Sequence, residues 1–103
     1  MIRARFSPKA ARDLDEISGH IAADNPEAAG RVRQTILNTA NFLARHPELG
    51  RRIRKAAARH QQIRWFVVPK FPNYLLFYQP FQETIIVVRG LHAAQDWTRF
   101  FSG

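Results

Sequence analysis

The sequence predicts an α+β domain in which two helices pack on one small sheet, and three features carry the prediction. Two consecutive segments repeat apolar residues at spacings of three and four, the mark of amphipathic helices. Later runs are short, apolar and rich in β-branched or aromatic residues, with Pro-, Asn- and Gln-containing turns between them. Helix-like and strand-like segments are segregated along the chain, which sets it apart from alternating α/β folds. The 103 residues suffice for a single domain, 1–103, and not for two.

Ile2 to Phe6 alternates apolar and basic residues, as a half-buried strand does. Ser7-Pro8 reads as an N-cap followed by proline at the first helical position. The helix it opens, over about 8–23, aligns Ala10, Leu14, Ile17 and Ile21, with Asp13, Asp15 and Glu16 early in it where the helix dipole favours negative charge. Asp24-Asn25-Pro26 ends this helix and caps a second over about 26–46, whose stripe is Ala29, Val32, Ile36, Ala40 and Leu43. So short a link makes the pair an antiparallel αα-hairpin. Gly19 and Gly30 flank its tip, each costing about 1 kcal/mol relative to alanine in a helix. Either close approach of the two backbones offsets that cost or both glycines are tolerated at exposed positions.

His46-Pro47-Glu48-Leu49-Gly50 stops the second helix, and a basic connector follows over 51–60. Strands are expected at 62–68, 74–78 and 84–89, with 69–73 and Gln79-Pro80-Phe81-Gln82 as turns. The runs Tyr74–Tyr78 and Thr84–Arg89 are apolar on both faces, so both strands should be central, and short links make the neighbours antiparallel. Ala93 to Phe101 is expected to add a short helical segment with Trp97, Phe100 and Phe101 on one face. The predicted order is therefore β-α-α-β-β-β with a helical C-terminal turn, the hairpin lying on a mainly antiparallel sheet.

Composition narrows the function. There is no cysteine, so neither disulfides nor a thiolate metal site is available. No secretory leader is visible at the N-terminus, and no run approaches the roughly 18 apolar residues of a membrane span. These readings lead us to expect a soluble, cytoplasmic protein with no membrane partner. The net charge of +8 is concentrated in one half: residues 1–50 hold seven Lys/Arg against six Asp/Glu, and residues 51–103 nine against two. Between Glu48 and Glu83 there is no carboxylate, but Arg51, Arg52, Arg54, Lys55, Arg59, Arg64 and Lys70 all fall there. Such a field favours an anionic or acidic partner; the plainer reading is a solvated basic surface.

Five stretches in order resemble the RelE/ParE toxin superfamily, its ParE branch in particular. Ser-Pro-x-Ala-x-x-Asp-Leu-x-x-Ile falls at Ser7–Ile17 and Ile-Ala-x-x-Asn-Pro-x-Ala-Ala at Ile21–Ala29. Leu-x-x-His-Pro-x-Leu-Gly-Arg falls at Leu43–Arg51, Tyr-x-x-Phe-Tyr at Tyr74–Tyr78, and Arg-x-x-His-x-Ala-x-Asp at Arg89–Asp96. The resemblance runs from about residue 3 to residue 97. Beyond it the chain adds an aromatic tail, Trp97 to Gly103, that must pack on the sheet or on a partner.

The resemblance implies the toxin of a type II toxin–antitoxin pair, neutralised by an acidic, ParD-like or similar antitoxin and needing no cofactor. In the ParE branch it implies a protein that poisons DNA gyrase by binding and has no catalytic residue of its own. In the RelE branch it implies a ribosome-dependent endoribonuclease acting on mRNA. Metal-free RNA cleavage needs a base, an acid and cations on the phosphate, for which Arg64, Tyr78, Arg89 and His92 are the candidates. Each also has a plainer reading: Tyr78 as packing, His92 as a strand-ending residue bonded to backbone, and the arginines as partners of antitoxin carboxylates. For antitoxin or target binding the candidates are Arg51, Arg52, Arg64, Arg89 and Trp97. A non-catalytic nucleic-acid-binding domain, with aromatics interleaved among cations, ranks third. His20, His46 and His60 lie at no metal-ligand spacing.

Overall fold

Ser7 starts the first helix as expected. In the computed structural model, which describes residues 2–54 and 56–101, its Oγ accepts the Ala10 N–H at 3.0 Å. Lys55 of the basic interval, and Met1, Ser102 and Gly103 at the termini, lie outside the described residues. Helix α1 spans Pro8–Ala22. Asn25 caps helix α2, Pro26–Arg45, its side chain accepting from the Ala28 N–H at 3.1 Å.

Around the helices lie five strands: β1 (Arg5–Phe6), β2 (Arg51–Arg52), β3 (Arg64–Val67), β4 (Tyr74–Phe81) and β5 (Thr84–His92). They form one sheet in the order β1-β5-β4-β3-β2. After α2 the chain re-enters the sheet at its far edge. The antiparallel meander β2-β3-β4-β5 then walks back until β5 lies parallel to β1. Short 3₁₀ turns at Ala58–His60 and Trp97–Phe100 complete the chain.

The core has two layers, one on each face of the sheet. Leu14, Val32, Ile36, Ala40 and Leu43 bury themselves against Leu76, Tyr78, Ile85 and Val87, with Ile17 and Ile21 packed around them. On the opposite face Leu75, Phe77 and Leu91 meet Ile53, Ile63 and Phe101. Strand β4 is thus buried on both faces, as its apolar run requires. The aromatic tail supplies the cover for the second face, Phe101 stacking on Phe77 at 4.8 Å between ring centroids.

Several sequence expectations are corrected. The first strand is confined to Arg5–Phe6. Residues 3 and 4 are tied down instead by Thr84 Oγ1, which donates to the Arg3 carbonyl, and by Asn41 Oδ1, which accepts the Ala4 N–H. Gln79–Phe81 is strand and not turn: β4 runs on to Phe81, and the reversal is made by Gln82, at φ 53°, with Glu83. Pro80 is accommodated because β3 pairs no further than Arg64↔Tyr78, so no neighbour on that side needs its missing N–H. The connector contributes the edge strand β2 and a 3₁₀ turn. Gly19 and Gly30 do not mark a close approach, since a methyl group at either would meet nothing within 4 Å. Among the described residues no helix is long and apolar enough to cross a membrane.

Candidate functional site

The His-Pro-Glu-Leu-Gly segment after α2 is fastened to the sheet by two of the predicted residues. Tyr78 is fully buried, and its hydroxyl donates to the Pro47 carbonyl at 2.9 Å while accepting the Gly50 N–H at 2.7 Å. Opposite it in β3, Arg64 Nη1 donates to the carbonyls of Gly50 at 2.7 Å and Glu48 at 3.3 Å. A side chain at Gly50 would overlap the Tyr78 ring, a Cβ there falling 2.7 Å from Cε1. Burial pushes the Tyr78 phenol above its usual range, an effect that the Gly50 N–H and the Arg64 charge oppose. Tyr78 is therefore a protonated, doubly engaged anchor with no lone proton to offer a substrate.

Arg89 is paired inside the chain. Its Nε and Nη2 meet the two carboxylate oxygens of Asp13 at 2.7 and 3.0 Å, the bidentate geometry that strengthens such pairs. Its guanidinium carbon lies 4.8 Å from the Phe100 ring centroid, a cation–π distance. Bonding to Asp13 raises the already high guanidinium pKa, against the lowering effect of burial. A bulge in β5 sets this placement, because the partner of Phe77 is Arg89 but that of Tyr78 is Val87. The extra residue, Val88, reverses which residues face the helices, and Arg89 joins Leu91 on the tail side. Asp13 has a further duty at the outer edge of β5, where β1 pairing ends at Phe6↔Val87. It accepts the Gly90 N–H at 2.9 Å, doing for that edge what a strand would do. The early acidic residues of α1 thus do not serve the helix dipole, for none lies in the first turn; Asp15 instead pairs with Arg33 across the hairpin. Asp13 could have been found from sequence: three residues after Ala10 and four before Ile17, it lies on the apolar stripe, and a carboxylate there calls for a cation.

His92 is exposed. Its Nδ1 accepts the Ala94 N–H at 3.0 Å and its ring lies edge-on to Tyr74, 5.4 Å between centroids. It pairs with Tyr74 and Arg64 pairs with Tyr78, four residues along β4 or about 13 Å at strand rise. The candidate acid–base set is therefore spread over the sheet and does not converge.

The remaining candidates gather at the β2–β3 edge. Register pairs Arg51 with Trp65 and Arg52 with Arg64, so Arg51 stands on the tail face and the other two arginines on the helix face. Arg51 lies 5.8 Å over Trp65. Trp97 lies 5.9 Å from Trp65 and 5.2 Å from Phe77, and the four side chains make a continuous cation–aromatic strip. Arg52 donates to the Gln61 carbonyl at 3.1 Å, and with Arg64 it borders an open cavity of about 480 Å³ beside Pro47 and Pro80. Trp65 was expected only as one of the aromatics interleaved among cations in the third reading, since its face depended on a register with β2 that could not be read. A separate groove of about 330 Å³ lies between α2 and the β3–β4 turn, lined by Thr39, Phe42, Phe66, Pro69 and Lys70. Among the described residues no group of His, Asp or Glu could hold a metal ion.

Comparison with known proteins agrees with this architecture. A sequence model of the ParE toxin of the type II toxin–antitoxin system parDE matches residues 4–97. The chain is 33% identical over 95 residues to a Sinorhizobium fredii protein named as a toxin, Y4kP, spanning 92% of each chain. It is 29% identical over 96 residues to Toxin RelE3 of Caulobacter vibrioides, spanning 92% of this chain and 98% of that one. A solved structure of a chromosomal ParDE toxin–antitoxin system from P. aeruginosa superposes with a TM-score of 0.71 at 21% identity, covering 89% of this chain and 96% of the other.

Proposed function

Since the chain belongs to the ParE toxin family of type II toxin–antitoxin systems, we propose that it poisons DNA gyrase by binding and that a cognate acidic antitoxin neutralises it in the cytoplasm. One observation carries the choice of binding over bond cleavage. Each candidate for acid–base chemistry is committed to its own fold: Tyr78 to the 46–50 segment, Arg64 to the same carbonyls, Arg89 to Asp13, His92 to the turn after β5. The exposed cations Arg51 and Arg52 at the sheet edge and the apolar groove beside Phe42 support an acidic partner with apolar anchors. The relative named Toxin RelE3 favours a second reading, ribosome-dependent cleavage of mRNA.

Purified protein tests both. The gyrase reading expects inhibited supercoiling or trapped cleaved DNA with no ribosome present. Cleavage of ribosome-bound mRNA, lost in His92→Ala or in Arg89→Ala, would transfer the assignment to the second reading.

A further inference from the structure

A cavity of about 370 Å³ opens beside the tail, on the face away from the helical hairpin. Its polar lining comes from four separate elements: Lys9 at the start of α1, Arg59 and His60 on the 3₁₀ turn, Gln79 on β4 and Arg89 on β5. No carboxylate is among the lining residues. Asp13 stands behind Arg89 and engages one side of its guanidinium, and Arg59 has a contact of its own within the chain. His60 Nδ1 lies 3.0 Å from the Phe101 carbonyl. A carbonyl can only accept, so Nδ1 donates to it, and Nε2 donates to an anion in the cavity when the ring carries both protons. The ring is held edge-on against Phe101, which ties this part of the wall to the tail.

We propose that this cavity binds a phosphate monoester group. Donors arriving from four separate elements suit a tetrahedral anion with several oxygens; a planar carboxylate would be saturated by one arginine. The excess of cations over carboxylates around it suits a dianion, with Lys9 supplying a point charge and Arg89 the Nη1 edge of its guanidinium, turned away from the Nε and Nη2 that hold Asp13. The volume is at the lower end of small-ligand sites, so it accepts the phosphate and a compact part of the ester it belongs to. The group could come from a free nucleotide-sized metabolite or from the 5′ end of a nucleic acid. The proposal does not depend on the gyrase reading.

The test is calorimetric titration of the purified chain, and thermal melting, with inorganic phosphate, adenosine 5′-monophosphate, adenosine, and a short single strand with and without its 5′-phosphate. We expect saturable binding of phosphate and the monophosphate, none of adenosine, and shifted His60 ring resonances on binding. Lys9→Ala combined with His60→Gln should weaken binding by at least about tenfold, the scale of lost charge-assisted bonds, with circular dichroism confirming the fold. Arg31→Ala, the loss of one exposed charge on α2 outside the cavity lining, should leave binding within about twofold of the parent. Preference for the phosphorylated strand over the monophosphate would identify a nucleic-acid end as the source, and the reverse a metabolite. Absence of saturable phosphate binding, an equal loss in Arg31→Ala, or reproduction of the whole effect by chloride at matched ionic strength would overturn the proposal.

Discussion

The phenol of Tyr78 and the backbone of Gly50 are built for each other: the amide donates to the hydroxyl at 2.7 Å, and the ring fills the space a side chain at residue 50 would need. Removing the hydroxyl strands a buried N–H and takes a partner from the Pro47 carbonyl. Tyr78→Phe should therefore cost about 1–3 kcal/mol, measured by urea denaturation. Gly50→Ala should cost more, because ring and backbone must both move.

The same phenol makes a pH prediction. Its pKa is raised in the folded state, chiefly by burial. The folded protein thus holds a proton that the unfolded chain releases near pH 10. The contribution is fully present below about pH 10 and is lost as pH rises toward the folded value. Melting temperature should fall more steeply above pH 10 in the parent than in Tyr78→Phe; parallel alkaline limbs would contradict this.

Arg89 and Asp13 form the second anchor, largely shielded from water. Breaking such a pair from one side leaves a charge without a partner, at about 3–5 kcal/mol when fully buried, and this partly exposed pair belongs at the lower end. Arg89→Ala and Asp13→Ala should each destabilise by about 3 kcal/mol. The double variant should lose less than the sum, which a thermodynamic cycle measures.

The tail is part of the core. Phe101 is 3% exposed, and Phe101→Ala should cost about 3–5 kcal/mol. Thermal unfolding checks this; an unmoved midpoint would mean the second face needs no cover.

Neutralisation should divide the arginines. Arg51→Ala and Arg52→Ala alter exposed cations and should chiefly slow association with the acidic partner, the effect shrinking as salt screens the field. Arg64→Ala loosens the 46–50 segment as well, so it should lower stability and speed dissociation. Stopped-flow association and surface-capture dissociation rates at low and high salt separate the two patterns.

Both helices were legible because caps and periodicity are local: Ser7, Pro8, Asn25 and Pro26 act within one turn of where they stand. The strands were legible as apolar runs, but their ends were not. Whether Pro80 ends β4 depends on how far β3 extends beside it, and β2 exists only through its pairing with β3. Helical spacing placed Gly19 and Gly30 along their axes and said nothing of the distance between the helices. The site was least legible. Arg89 and His92 were found as residue types in a pattern, but the partner of Arg89 lies 76 positions away, and no local rule joins them.

The short strand β1 pairs in parallel with β5, and the Ser7 hydroxyl bonds to Val88 over 81 intervening steps of chain. On a ribosome, the first strand to emerge is consequently the last to find its neighbour. The helical hairpin can close early, since its contacts are near in sequence, but the sheet edge beside it stays open until β5 has been made. Contacts so distant in sequence slow folding, and the nascent chain therefore passes through an interval in which its helical hairpin has formed and its sheet has not. A chain cut before Thr84 would take from β1 and from β4 the strand that lies between them, and would leave Asp13 without Arg89.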